Sequence, residues 1–252
     1  MTEIVLSELA GGVRTITLNR PERLNAMNPA LVAATAEAFE AANGDGETRV
    51  ILFTGAGRAF CAGDDLRDHR HPDSEAEARA VTEAIQRVTR AIVFSDKMVI
   101  GAINGWAVGG GFEWAINCDL AIWGEGARAF FPEVGWGLFV TGAVTTLLPN
   151  LVGLTKAKEM MLFGDRYTAD ELHRLGVAWR LAADDRTLAE ARQAAQRIAA
   201  LPGRAVADMK RALNDAAFAD LERALDLETE ATVRGFLDPE TSSRIAGFAA
   251  GD

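Results

Sequence analysis

Residues 99–117 read VIGAINGWAVGGGFEWAIN, and this stretch decides the fold. Its first five residues are apolar or small, as in a buried strand. Three consecutive glycines, Gly109–Gly111, then lead into a short helix that we expect from residue 112 to 117. Apolar runs predict further strands on both sides, at 50–54, 120–123, 129–131 and 177–181. Strands that alternate with helical segments, followed by helices alone, predict an α/β core with a C-terminal helical extension.

The flanking segments carry local start and stop signals. Apolar runs at 4–9 and 13–18 around Gly11-Gly12 predict a β-hairpin. Asn28 and Pro29 predict the cap and first residue of a helix that ends at 43–44, and Thr168 with Glu171 forms a capping-box pattern. Other helices are expected at 74–95, 156–163, 187–201, 204–217, 218–236 and beyond 239. We divide the chain into a core of residues 1–195 and a C-terminal helical oligomerisation region of residues 196–252.

Composition excludes several classes of function. The formal net charge is −10 and 49% of the 252 residues are hydrophobic. Nucleic acid is therefore not expected as a partner, because phosphate binding needs positive surface, and an anionic ligand would need a locally basic pocket. No apolar window approaches the ~18 residues of a membrane span, and the N-terminus lacks the pattern of an export signal. We expect a cytoplasmic protein.

The candidate metal ligands and nucleophiles are few. His69 and His71 form the pair that most resembles metal ligands, but no third ligand lies nearby, and a solvated loop explains them better, so no metal is expected. Cys61 and Cys118 are too few for a disulfide framework, and neither has a suitable histidine in its motif. We interpret both cysteines as small buried hydrophobic residues in a protein of a reducing compartment.

Four segments, in this order, carry a resemblance. They are LNRPERLNAM at 18–27, FCAGDDL at 60–66, NGWAVGGGFE at 104–113 followed by CDL at 118–120, and FPE at 131–133. Together they are similar to the motifs of the enoyl-CoA hydratase/isomerase (crotonase) family, and weaker similarity continues to the C-terminus. The resemblance implies a crotonase-type ββα spiral, a coenzyme A thioester as substrate, no further cofactor, and a homotrimer or a dimer of trimers.

The resemblance also implies catalytic roles. The backbone N–H groups of Asp64 and Gly110 would stabilise an enolate oxygen, and Glu113 and Glu133 would act as acid and base. Preorganised donors aimed at a developing oxyanion are usually the largest contribution to catalysis, and two carboxyl groups around one water suit acid–base chemistry. Taken alone, however, the glycine triplet would be an ordinary tight turn, and each glutamate a cap or a solvated charge.

Substrate contacts follow from the same resemblance. Arg23 and Arg67 are the basic residues expected near the phosphates of coenzyme A, although either alone would equally fit simple surface charge. Trp136 and Phe139 are expected in the acyl pocket. The remaining expected contacts lie in or beside the motifs: Leu24, Ala26, Ala62, Asp65, Leu66, Trp106 and Gly109.

The chain departs from the family pattern in two places. Between 137 and 150, Val140 stands where relatives have proline, Ala143 and Val144 where they have paired glycines, and Asn150 where they have arginine. These larger side chains, with Thr141, are expected to reshape the acyl pocket, which puts hydration of simple straight-chain enoyl groups in doubt. The second departure is Asp64, whose carboxylate we expect to point away from the site, because it would oppose an enolate.

Three functions remain open at this point. The first is reversible hydration of a 2-enoyl-CoA by both glutamates. The second is double-bond isomerisation, for which Glu133 alone could move the proton. The third is a catalytically silent assembly subunit, against which the presence of both glutamates and both glycine-rich loops argues.

Overall fold

The computed structural model describes residues 3–67, 71–218 and 220–250. His69 lies outside these ranges, so the sequence interpretation of the His69–His71 pair is not tested by the structure.

A six-stranded sheet forms the centre of the molecule. Its strands are β1 (Val5–Ala10), β2 (Val13–Leu18), β3 (Val50–Gly55), β5 (Met98–Ile103), β7 (Leu120–Gly124) and β10 (Arg180–Ala182), in the order β1-β2-β3-β5-β7-β10. The predicted hairpin is confirmed: β1 and β2 pair antiparallel, and Gly11 and Gly12 close the turn with φ of 58° and 77°. All later neighbours in this sheet pair parallel.

A second, smaller sheet has four short strands. They are β4 (Ala59–Cys61), β6 (Trp106–Val108), β8 (Arg128–Phe130) and β9 (Tyr167–Thr168), in the order β4-β6-β8-β9. From β3 to β8 the chain therefore adds strands alternately to the large sheet and to the small one. Of these four short strands, the sequence predicted β8 alone. The alternation of two strands and a helix confirms the expected ββα spiral.

Eleven α-helices lie in the described part of the chain. They are α1 (Pro29–Gly44), α2 (Glu75–Val93), α3 (Gly110–Asn117), α4 (Glu133–Trp136), α5 (Val144–Val152), α6 (Leu154–Phe163), α7 (Ala169–Arg174), α8 (Thr187–Ala199), α9 (Gly203–Ala217), α10 (Leu221–Phe236) and α11 (Pro239–Ala250). The predicted caps are confirmed: Asn28 accepts from the Leu31 N–H at 2.9 Å, and Thr168 and Glu171 form the capping box. The sequence missed α4 and α5.

The central strands β3 and β5 of the large sheet are buried on both faces, as expected for parallel strands in an α/β protein. Alternate residues of β3 show this, because Ile51 and Phe53 pack in the main core whereas Val50 and Leu52 pack in a second core beneath α8. Thiols buried in this interior are held in the neutral form. Burial raises the pKa of Cys61 to about 12 and also raises that of Cys118, which confirms both as buried, free cysteines.

The C-terminal helices pack on the core of their own chain. On α9, the ammonium group of Lys210 is buried and donates to the Ile92 and Lys97 carbonyls and to Asp119 at 2.8–3.0 Å. The helix α10 packs along α2. The domain boundary predicted at residue 195 lies inside α8, and the oligomerisation role of the later helices stays a prediction. No helix among the described residues is long and apolar enough to cross a membrane.

Candidate active site

The loop of residues 20–27 is built around the side chain of Asn25. This side chain is fully buried, accepts from the Arg20 N–H at 2.8 Å and donates to the Ala56 and Ala59 carbonyls. Leu24 and Asn25 adopt left-handed φ angles of 53° and 54°. The first motif is thus a scaffold that fixes a strained loop, since left-handed residues other than glycine persist only where surrounding contacts hold them.

A buried ion pair joins this loop to the next motif. Nη2 of Arg20 donates to Oδ2 of Asp65 at 3.0 Å, and Oδ1 of Asp65 accepts from the Arg67 N–H. The Asp65 carboxylate therefore holds two loops together, a structural role that the sequence did not suggest. The expected contact of Asp65 with a substrate stays a prediction.

The two glycine-rich segments lie directly against each other. Gly63 has a φ of +80°, and a Cβ atom there would lie 2.7 Å from the Val108 carbonyl oxygen. A Cβ at Gly111 would lie 2.3 Å from the Cys61 carbonyl oxygen. Only glycine permits such an approach of two backbones. The loop that contains Asp64 and the start of α3 therefore form one continuous surface.

Gly110 is the first residue of α3, so its N–H has no acceptor within the helix. The positive end of the helix adds to the attraction of an anion at this point. Gly109 precedes it with a φ of 52°. Met27 forms a bridge with Asp64, whose side chain is exposed. This arrangement is compatible with two donors aimed at one oxyanion, and the assignment of Asp64 and Gly110 to that role stays a proposal.

Glu113 lies on the first turn of α3 and is 1% exposed. The Thr141 N–H lies 3.2 Å from each of its carboxyl oxygens, and the Thr141 hydroxyl donates to Oε2 at 2.9 Å. Burial, and then the nearby charge of Glu228, raise the pKa of Glu113 to about 8, while the Thr141 hydrogen bonds act in the opposite direction. A surface or purely capping role for Glu113 is therefore wrong.

Glu133 is the first residue of α4 and faces the glycine turn. A Cβ at Gly109 would lie 2.4 Å from its Oε1, so Gly109 makes room for this carboxyl group. Glu133 is 9% exposed, and its buried Oε2 has no hydrogen-bond partner in the described part of the chain. Burial, and then the charge of Glu113, raise its pKa well above the usual range. The alternative of a solvated turn is excluded, and the two glutamates interact electrostatically.

The other expected contacts lie in or beside the motifs. Arg23 is half-buried, and its Nη1 has no hydrogen-bond partner among the described residues, whereas Arg67 is exposed. Ala62 donates through its N–H to the Leu24 carbonyl at 3.1 Å, which joins two loops with expected contacts. The remaining expected contact residues are buried or partly buried: Ala26, Leu66, Trp106, Trp136 and Phe139.

An aromatic–cation cluster lies on the small sheet. Trp106 packs edge-on against Phe130 with ring centroids 6.2 Å apart, and the Arg166 guanidinium lies 5.7 Å and 5.5 Å from their centroids. Arg166 was not expected from the sequence, because it lies outside the motifs. No group of three or more metal-ligating side chains occurs in residues 3–67, 71–218 and 220–250.

The altered segment leads into helix α5. Val140, Ala143 and Val144 are almost fully buried in the main hydrophobic core. Thr141 reaches the site, but as a donor to Glu113. The expectation that these four side chains reshape the acyl pocket stays a prediction.

The sequence analysis also missed Glu228. This residue is fully buried on α10 and accepts from the Ala143 N–H at 2.7 Å and from the N–H and hydroxyl of Thr145 at 2.8 and 2.6 Å. Its position, three and seven residues after Leu225 and Leu221, places it on the apolar face of α10. A carboxyl group on a buried helix face was the signal that could have revealed it.

The fold and the site together define the structural class of the protein. Solved structures that share this architecture are crotonase-fold proteins. A structure of an enoyl-CoA hydratase/isomerase from Mycobacterium paratuberculosis matches with a TM-score of 0.89 at 32% identity, over 98% of this chain and 99% of the other.

Sequence relationships then identify the family. The sequence model described as enoyl-CoA hydratase/isomerase matches residues 8–245. A 1,2-epoxyphenylacetyl-CoA isomerase of Escherichia coli K12 is 37% identical over 80% of this chain and 78% of its own length. A crotonyl-CoA hydratase of Syntrophomonas wolfei is 34% identical over 78% and 75%. The chain belongs to the enoyl-CoA hydratase/isomerase family, and an acyl-CoA substrate is consistent with that membership.

Proposed function

We propose that the protein catalyses the reversible hydration of a 2-enoyl-CoA, with Glu113 and Glu133 as the acid–base pair. The observation that carries this proposal is the pair of buried, electrostatically coupled carboxyl groups beside the glycine turn. Two titratable groups whose environments push their pKa values apart are suited to divide the roles of acid and base.

The hydrogen bonds around each carboxyl group support a division of labour. Thr141 donates to Glu113 and so favours its charged form, whereas Glu133 has one buried oxygen without such a donor. Glu133 is therefore the better proton donor and Glu113 the better base.

In the hydration direction, the water oxygen bonds to C3 of the enoyl group and its proton passes to Glu113. The C2–C3 π electrons move onto the thioester oxygen, where the Asp64 and Gly110 N–H groups would stabilise the enolate. Glu133 then gives its proton to C2, and a proton returns from Glu113 to Glu133 to restore the starting state.

Coenzyme A enters this proposal as part of the substrate. The unpartnered Nη1 of Arg23 and the exposed Arg67, on adjacent loops, support phosphate binding near the entrance of the site in a protein of overall negative charge. Arg67 and Arg23 together supply local positive charge that the whole molecule lacks.

A second candidate, isomerisation of an enoyl double bond, is favoured by one observation. Thr141 already occupies both oxygens of Glu113, which leaves Glu133 as the carboxyl group with a free acceptor. One carboxyl group that takes a proton from C2 or C4 and returns it to the other carbon would suffice. The similarity to a protein named as an isomerase supports the same candidate.

A panel of enoyl-CoA esters separates these functions. Loss of the conjugated enoyl-thioester absorbance from a 2-enoyl-CoA indicates hydration, whereas a gain of that absorbance from a 3-enoyl-CoA indicates isomerisation. We expect weak hydration of crotonyl-CoA and a higher kcat/KM for a branched, cyclic or aromatic acyl group, since one methylene of misfit costs about 1–3 kcal/mol. Tight binding of these esters with no turnover of any would identify a silent subunit and overturn the proposal.

We also propose a homotrimer or a dimer of trimers. Support comes from large apolar side chains exposed in the single chain, above all Leu154, Leu162 and Phe163 on α6, which are 59–73% exposed. Such a patch marks an interaction surface in a stable protein. Sedimentation equilibrium would give three or six times the 27.0 kDa chain mass, and a monomer would contradict this proposal.

A further inference from the structure

A third buried carboxyl group lies behind the acid–base pair. We propose that Glu228, on the C-terminal helix α10, is a positioning residue: it fixes residues 143–145 and so keeps Thr141 and Gly142 against the Glu113 carboxylate. This inference rests on the proposed acid–base role of Glu113.

First, Glu228 is hydrogen-bonded to the start of α5. Both of its oxygens are used, Oε2 by the Ala143 N–H and Oε1 by the N–H and hydroxyl of Thr145. These are donors at the helix start, where the N–H groups lack intrahelical acceptors. A side chain from a distant helix therefore acts as the N-terminal cap of α5.

The second step is strain at Ala143. This residue has a φ of +60° and a fully buried side chain. Left-handed backbone is unfavourable for any residue with a Cβ atom unless other contacts hold it. The hydrogen bond from the Ala143 N–H to Glu228 supplies such a contact.

The third step connects this turn to Glu113. Gly142, next to Ala143, packs so closely that a Cβ there would lie 2.8 Å from Oε2 of Glu113, and Thr141 donates to the same oxygen. The Gly142 carbonyl also accepts from Asn117 at 2.7 Å, which ties the turn to α3. A relaxation at Ala143 would thus move the donors of Glu113.

The charge of Glu228 acts on the same group. This charge raises the pKa of Glu113. The helix α5 carries no charged residue. Charged side chains on α10 and on the neighbouring helices α2 and α11 are exposed or partly exposed: Arg79 with Glu230, Arg90 with Glu222, Arg244 with Glu240, and Glu83. Glu228 is therefore the buried carboxyl group that α10 adds near Glu113.

Glu228→Gln tests the proposal, because it keeps the shape but removes the charge and one acceptor. We expect kcat to fall about tenfold, the value of one lost buried hydrogen bond to a charged group, with KM within about twofold. In an infrared titration of the buried carboxyl groups, with Glu113→Gln as the reference for the band, the pKa of Glu113 should decrease. Glu230→Gln, on the exposed face of the same helix, should change neither quantity.

A second substitution separates strain from charge. Ala143→Gly removes the left-handed penalty, so in the Glu228→Gln background it should recover part of kcat but leave the pKa of Glu113 low. If Glu228→Gln does not fold, Thr145→Val removes one of the three bonds to Glu228 and should lower kcat about threefold at constant KM.

The infrared titration needs no substrate, so its outcome is independent of the proposed function. If wild-type protein consumes no enoyl ester, hydration and isomerisation fail, while a shifted Glu113 band in Glu228→Gln still supports the positioning role. Wild-type kcat together with an unshifted Glu113 band in Glu228→Gln, or an unchanged kcat in Thr145→Val, would overturn it.

Discussion

At the scale of single residues, burial changes the acidity of Glu113 and Glu133 in a way that the surrounding sequence does not reveal. Both carboxyl groups have raised pKa values because the interior disfavours their charged forms and each is near another carboxyl group. They differ in their donors, since Thr141 bonds to Glu113 alone. The motifs identified both glutamates from the sequence, but not which of them would hold its proton more tightly.

The oxyanion donors can be tested at the same scale. Gly110→Pro should lower turnover by about 10²–10³-fold, because proline removes the N–H proposed to bind the enolate oxygen. Proline is acceptable at the first residue of a helix, so α3 should still form. The measurement is kcat on the best ester of the panel, with circular dichroism as a check of folding.

Two variants control for this substitution. Gly110→Ala also brings a Cβ within 3.0 Å of the Met27 sulfur, a flexible neighbour, but it keeps the N–H, so it should retain far more activity than Gly110→Pro. Asp64→Ala should largely preserve turnover, since its backbone N–H remains. A large loss in folded Asp64→Ala would show that the carboxylate itself acts and that our placement is wrong.

At the scale of helices and strands, local sequence patterns predicted the long elements. They did not predict the short elements that form through packing. Long elements such as α1, α2 and β3 were predicted within a few residues, because a cap or a continuous apolar run marks them locally. The strands β4 and β6 have three residues each, too few to show a period, and pairing across the small sheet creates them. The helix α4 has four residues and α5 begins after a left-handed Ala143, and neither N-cap side chain makes a capping hydrogen bond, so no local signal marks them.

The loop of residues 20–27 gives a prediction about an element. Asn25→Ala should lower the free energy of unfolding by about 2 kcal/mol or more, because three backbone groups, two of them buried, lose their partner and alanine must adopt a left-handed φ. Urea denaturation measures this loss. Asn150→Ala, at an exposed position of α5, should stay within about 0.5 kcal/mol of wild type. Equal stabilities of the two variants would show that the loop does not depend on Asn25.

At the scale of the whole molecule, the site depends on residues that are far apart in sequence. The motifs between 18 and 133 predicted the glycine surface and both glutamates. Glu228 lies on helix α10 (Leu221–Phe236). Its contact with residues 143–145 forms only after the chain has folded back on itself. A single sequence shows such a contact only indirectly, as a carboxyl group on an apolar helix face.

Three buried carboxyl groups also predict how stability changes with pH. The pKa values of Glu113 and Glu228 are raised to about 8 and about 7, so the folded state binds their protons more tightly than the unfolded state. Stability should therefore fall as the pH rises from about 4.5 toward 8, by at most about 1.4 kcal/mol per pH unit for each group.

Urea unfolding between pH 5 and 8 measures this slope. Glu113→Gln and Glu228→Gln should each make it shallower, since each removes one titrating group, whereas the exposed Glu230→Gln should leave it unchanged. Identical slopes in all four proteins would mean that these carboxyl groups are not buried in solution as they are in the structure.

The central claim is that Glu113 and Glu133 act together on an acyl-CoA, and the most direct test follows the enoyl-thioester absorbance of the best 2-enoyl-CoA with Glu113→Gln and Glu133→Gln. We predict that each variant lowers kcat by about 10²-fold or more, the scale of positioned acid–base catalysis, while the Kd of the thioester stays within a few-fold of wild type. Glu125→Gln, at an exposed turn, serves as the control. Full turnover in Glu113→Gln alone would replace hydration by isomerisation through Glu133, and full turnover in Glu133→Gln would contradict the account.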